Sequence, residues 1–127
     1  MAGNLTNYLE NKLIDHFLGT TTYTKPAAVY IGLFTVAPSD AGGGTEVTGG
    51  SYARQAATFS AASSGATSND SNVDFTGMPA ATTVAIGIFD ASTSGNMLLY
   101  GTLTTNKTTD AGDTLRIATG DLDISID

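Results

Sequence analysis

From residue 28 onward the chain is a succession of short runs of Val, Ile, Leu, Phe, Tyr and Thr, each stopped by Gly, Asn, Asp or Ser. β-Branched and aromatic side chains suit a pleated, half-buried surface, and the punctuating residues tolerate the reversals between strands. Runs at 28–35, 52–59, 72–76, 83–90, 97–104, 113–118 and 121–126 predict about seven strands. No second helical repeat lies among them, and parallel strands need crossovers of a dozen or more residues, usually a helix, so the sheets must be mainly antiparallel. The expectation is a mainly β protein, with a single antiparallel β-sandwich or barrel as its body. The last run alternates Leu122, Ile124 and Ile126 with Asp121, Asp123, Ser125 and Asp127, the pattern of a strand with one buried face. Two low-complexity stretches, 37–50 and 60–70, read as exposed loops.

The N-terminal segment follows a different period. Leu5, Tyr8, Leu9, Leu13, Phe17 and Leu18 recur at helical spacing, opposite a face of Asn7, Glu10, Asn11 and Lys12, which predicts a helix over 4–18. Asn4 is the expected N-cap, and Gly19 the expected left-handed terminator. The Thr-rich stretch up to Pro26 cannot continue the helix and reads as a linker. The division expected is therefore a helical arm over 1–20 and a β domain over 21–127.

Ala, Gly, Ser and Thr fill about half of the 127 positions, whereas Leu, Ile, Val and Phe make up about a fifth, close to the limit below which charged chains stay disordered. The core is expected to be lean. With no cysteine, disulfides, thiolate metal sites and cysteine catalysis are excluded. A net charge of −7 opposes both phosphate backbones and anionic membranes, so neither nucleic acid nor membrane is an expected partner. No apolar run is long enough to span a bilayer, and the opening MAGNLTNYLENK has the features of no signal peptide, so synthesis in a cytoplasm is the expectation.

One internal echo is present. Ile31-Gly32-Leu33-Phe34 and Ile86-Gly87-Ile88-Phe89 share a pattern. Either two core strands have a common composition, or a duplication has placed equivalent strands in two facing sheets. In both cases Gly32 and Gly87 mark a close backbone approach or a bulge.

Motifs with chemistry are scarce. His16, beside Asp15 at the end of the helix, reads as a dipole-associated residue rather than a catalytic one, and no Gly-x-Ser-x-Gly elbow occurs. Gly42-Gly43-Gly44 lacks the Lys-Ser/Thr and helix of a phosphate loop. Asp90 to Asn96 offers oxygen side chains at calcium-loop spacing but no closing Glu, and reads as a hairpin loop bonded to itself, as do the turns at Asp110, Asp113, Asp121 and Asp123. No catalytic residue, metal or cofactor is expected. Arg54 reads either as a surface ion-pairing residue or as an anchor to a neighbouring subunit.

Taken in order, Asn7 to His16, Tyr30 to Phe34, Thr45-Glu46-Val47, Gly49 to Gln55, Ile88 to Ala91, Gly95 to Gly101, Lys107, Ala111-Gly112-Asp113 and Gly120-Asp121-Leu122 resemble a family of small virion structural proteins of tailed bacteriophages, often labelled phage tail fibre protein. The resemblance spans nearly the whole chain. One departure lies at Pro79 to Val84, where an aromatic Ser-Trp-Gly-Thr-Val type of segment is expected. The resemblance implies a non-enzymatic protein of the virion, made in the host bacterial cytoplasm. The chain has no coiled-coil heptads, collagen triplets or repeats for a long shaft. A compact β module with an arm suits capsid decoration or cementing, bridging neighbouring shell subunits as a homo-oligomer. The alternatives are a tail-associated component, such as a tail fibre or baseplate protein, and a carbohydrate-binding receptor module. The partners expected are the major capsid protein or tail proteins, met through Leu5, Tyr8, Leu9, Leu13, Phe17 and Arg54.

Overall fold

A computed structural model describes residues 4–126. Residues 1–3 of the expected arm, and Asp127 on the polar face of the terminal strand, lie outside the described residues. The elements are β1 (Asn4–Leu5), α1 (Asn7–Phe17), β2 (Val29–Val36), β3 (Thr45–Glu46), β4 (Gln55–Ala57), β5 (Ala66–Ser68), β6 (Val73–Met78), β7 (Ala81–Phe89), β8 (Met97–Thr109), β9 (Asp113–Ile117) and β10 (Asp123–Ser125). Each of the seven expected runs holds a strand. Three short strands were not expected, and two of them, β3 and β5, lie inside the stretches read as loops. Each exists by pairing with a partner distant in sequence, which no local pattern announces.

The main sheet has the order β1-β8-β7-β2-β3, and β4 also pairs with β2. β4 covers Val29 to Ile31 and β3 covers Phe34 to Val36. Two ribbons, β6–β9 and β10–β5, complete the molecule, and every pairing is antiparallel. Ile31, Leu33, Ile86 and Ile88 of the main sheet share one core cluster with Val73, Phe75 and Leu115 of the β6–β9 ribbon and with Leu122. The fold is thus a sandwich rather than a closed barrel.

The repeated motif has a specific outcome. β2 and β7 are neighbours in one sheet, with Ile31 opposite Ile88, Gly32 opposite Gly87 and Leu33 opposite Ile86. This removes the reading in which a duplication puts the two motifs in facing sheets. The Ile and Leu residues point into the main core, while Phe34, Ala85 and Phe89 form a second cluster. The paired glycines leave room there. A Cβ on Gly32 would lie 2.9 Å from Glu46 Oε2, and one on Gly87 would lie 2.9 Å from a ring carbon of Phe89 and 3.0 Å from one of Phe34.

The helix begins later than its stripe suggests, and its N-cap is Thr6, not Asn4. Thr6 is extended, its Oγ1 accepts from Leu9 N at 3.3 Å, and its hydroxyl donates to Met97 O at 2.7 Å. Asn4 and Leu5 instead pair with Tyr100 and Leu99 of β8 as an edge strand. Gly19 also differs from expectation. It is not left-handed, and its lack of a side chain matters because a Cβ would sit 3.0 Å from Asp15 O, to which its own amide donates.

Candidate assembly surface

The helical stripe divides in two. Leu9 is buried and Leu5, Tyr8 and Leu13 are half-buried, so the first turns pack down onto β8 and β1. The last turn turns outward. Ile14 is 57% exposed, Phe17 73% and Leu18 85%, and these are three of the five exposed large apolar side chains among the described residues. Transferring such groups from water is worth roughly 1.5–3 kcal/mol each when complete, so a cluster of three is a strong invitation to contact. Of the six residues expected at an interface, only Phe17 stands fully in solvent. Ile14 and Leu18 are absent from the expected set: a single-stripe reading assigns Ile14 to the flank of the helix, and Leu18 is counted in the stripe but not at the interface.

The turn after the helix is tied back to it. His16 Nδ1 accepts a hydrogen bond from Tyr23 N at 3.1 Å, and its ring meets Phe17 edge-on with centroids 5.0 Å apart. The imidazole thus tethers the following turn to the last turn of the helix. Burial, with the charges of Tyr8 and Asp90 nearby, raises the Tyr23 phenol. The Lys12 ammonium sits 5.6 Å from the Tyr8 ring centre.

Arg54 lies elsewhere and is engaged within the chain. Its Nε and Nη2 fork onto Glu46 at 3.0 and 2.9 Å, its Nη1 donates to Ser94 O at 2.8 Å and Ala91 O at 3.2 Å, and its guanidinium lies 3.4 Å over the Phe89 ring. The side chain is 11% exposed. Tyr52 hydroxyl donates to Glu46 Oε2 at 2.7 Å and accepts from Leu33 N at 2.9 Å. Burial by itself would push the Glu46 carboxyl up. Hydrogen bonds from Arg54 and Tyr52, and the Arg54 charge, outweigh it and hold the group below the usual carboxylate range. Burial and the bond to Glu46 push the Tyr52 phenol up. The cluster is a clamp that fixes the 90–96 hairpin over the glycine pair.

The acidic loops are likewise occupied with themselves. Asp90 Oδ1 accepts from Asn96 N at 2.7 Å and Oδ2 from Asn96 Nδ2 at 3.0 Å, which closes the hairpin. Asp113 Oδ2 accepts from Asp110 N at 2.8 Å. Among the described residues there is no group of three or more His, Asp or Glu side chains placed to hold a metal, and no helix is long and apolar enough to cross a membrane.

A second feature lies on the far part of β8. β1 covers only Leu99 and Tyr100, and opposite Val84 alone β8 runs through Leu103 to Asn106 in a bulge. Beside the bulge is a cleft of about 240 Å³, floored by Leu33, Ile86, Leu115 and Leu122, with Thr104, Thr105 and Lys107 at its mouth.

A small antiparallel sandwich whose Arg54, Glu46 and Asp90 side chains bond within the chain, and which exposes an apolar cluster at one helix end, has the form of a structural module. The family described as "Podophage GP4 fiber I protein gp80" matches residues 4–125, and the chain belongs to it. It is therefore a small structural protein of the tailed-phage virion. No curated protein matches the chain.

Proposed function

We propose that this protein is a tail-associated structural subunit that joins the virion through the outward end of its helix. The observation that carries this is the cluster of Ile14, Phe17 and Leu18, exposed at 57, 73 and 85% on a helix whose other end is tied to the sheet. A fibre family favours the tail over capsid decoration, although both employ the same kind of contact. The helix serves as the arm (1–20) and the sandwich (21–127) as the body. Leu5, Leu9 and Leu13 seat the arm, Phe17 makes the contact, and Arg54 keeps the body rigid instead of reaching outward. The acting groups are apolar contacts, with no catalytic step and no cofactor.

Fractionating purified particles into heads and tails, with quantitative mass spectrometry of each, tests the location. The protein should follow the tail fraction at a copy number close to that of the other tail proteins. Recovery with the heads, in proportion to shell subunits, would return the protein to the decoration role.

A further inference from the structure

Among the described residues two apolar features stand open to solvent: the end of the helix, where Ile14, Phe17 and Leu18 are exposed, and the apolar-floored cleft beside the β8 bulge. We infer that they are partners for one another between copies, with Phe17 and its neighbours seated in the β8–β9 cleft of a second copy of the chain. This rests on the reading of the helix end as a docking element and names what it docks to.

Size, charge and symmetry support this occupant. An apolar cavity of about 150 Å³ already admits a benzene ring. The cleft, at about 240 Å³, accommodates the Phe17 phenyl group with room for part of Leu18 or Ile14. Copies carrying −7 repel at long range, so a copy can land only where the local charge is neutral or positive. The cleft is such a place: Arg116 beside it is neutralised by Asp74, onto which it forks at 2.7 and 3.0 Å, and Lys107 balances Asp121, so the local charge is neutral on a molecule of net charge −7. The helix end presents Asp15 between Ile14 and Phe17, and neither Asp15 nor Lys107 has an ion-pair partner among the described residues. Asp15 meeting Lys107 sets the orientation, and the apolar groups hold the contact. Because knob and cleft are different surfaces, the contact is head-to-tail and builds a ring or an open row of copies.

The absence of cysteine makes the test direct. Phe17→Cys and Thr105→Cys replace exposed residues and leave the core intact. The two variants are purified apart, mixed and mildly oxidised. The expected result is a disulfide joining Cys at 17 of one chain to Cys at 105 of another, with neither variant cross-linking alone. In sedimentation equilibrium the wild-type chain should self-associate, Phe17→Asp should weaken this by about tenfold or more, and Lys107→Glu should weaken it severalfold unless mixed with Asp15→Lys. A disulfide formed by Phe17→Cys alone would overturn the inference, since knob would then meet knob. A wild-type chain that stays monomeric at high concentration and gives no mixed disulfide would overturn it as well. If Phe17→Asp is lost from particles in that case, docking through the helix stands and only the partner is wrong. If the mixed disulfide forms while Phe17→Asp enters particles normally, the contact between copies stands and the docking role falls.

Discussion

Asn69 is 1% exposed, and its side chain makes four hydrogen bonds: it donates to Ser71 O at 2.9 Å and Ala118 O at 3.0 Å, and accepts from Gly120 N at 3.1 Å and Leu122 N at 2.9 Å. One amide thereby fastens the 69–72 turn to the segment that leads into β10 and seats Leu122 in the core. Asn69→Ala would leave the buried Leu122 amide without its acceptor and release Ser71 O and Ala118 O, while Gly120 N keeps its bond to Asn69 O, so it should cost about 2 kcal/mol, read as a lowered denaturation midpoint with an unchanged slope. A midpoint within error of wild type would contradict this account of the turn. Glu46 allows a test by pH. Its carboxyl is depressed in the folded state, so its stabilising contribution is present above the ordinary carboxylate value of about 4.3 and is lost as pH falls through that value and then through the folded one. Glu46→Gln should therefore melt below wild type at neutral pH, by about 1–2 kcal/mol in stability, and the gap should close on acidification. A gap that is constant with pH would show that the Glu46 charge contributes nothing. The role of neither residue is legible in the sequence, although Glu46 lies in one of the motifs that carry the family resemblance. Asn69 sits in a Ser- and Ala-rich stretch that reads as a loop, and Arg54 offered the one hint of the clamp without identifying Glu46, Tyr52 or Phe89 as its partners.

At the scale of elements, what was legible is what local periodicity encodes. The helix, the seven main runs and their antiparallel sense follow from residues within one window. Pairings between distant segments were not legible: β1 on the edge of β8, β3 on β2, and β5 with β10. The end of β8 was set too early for a related reason. Thr-Thr-Asn-Lys at 104–107 breaks the alternation because the strand bulges there, and the sequence of a bulge resembles that of a turn. The bulge and Lys107 also keep the uncovered length of this edge from pairing indiscriminately. The glycine pair is testable at this scale. Gly32→Ala places a methyl group against Glu46 and Phe89, displacing the Arg54 fork as well as the ring, and should cost about 1–3 kcal/mol. Gly87→Ala meets only the ends of the Phe89, Met97 and Phe34 side chains and should cost less. Thermal melts of the two variants measure the order, and a reversed order would show that the ring contacts matter more than the clamp.

For the whole molecule, the lean core and the acidic surface act together. A chain with about a fifth of its residues as large aliphatics and Phe, three of whose five exposed large apolar groups sit on one helix end, holds its association in a small area. Charge opposes that association. Between copies each carrying −7, long-range repulsion is screened as the Debye length falls below ~8 Å, while the apolar contact persists. Self-association should therefore tighten as salt rises toward ~0.5 M, because relief of net repulsion exceeds the loss of a single pair between Asp15 and Lys107. Sedimentation across a salt series measures this, and steady weakening with salt would assign the contact to charged groups. Attachment of the protein to the virion rests on the exposed end of the helix. The decisive measurement is the occupancy, in particles assembled in a host, of a chain carrying Phe17→Asp and Leu18→Asp, after circular dichroism and melting have shown the sandwich to be unchanged. The predicted result is a folded protein that is missing from the particles. Occupancy equal to wild type would contradict the claim that this surface joins the protein to the virion.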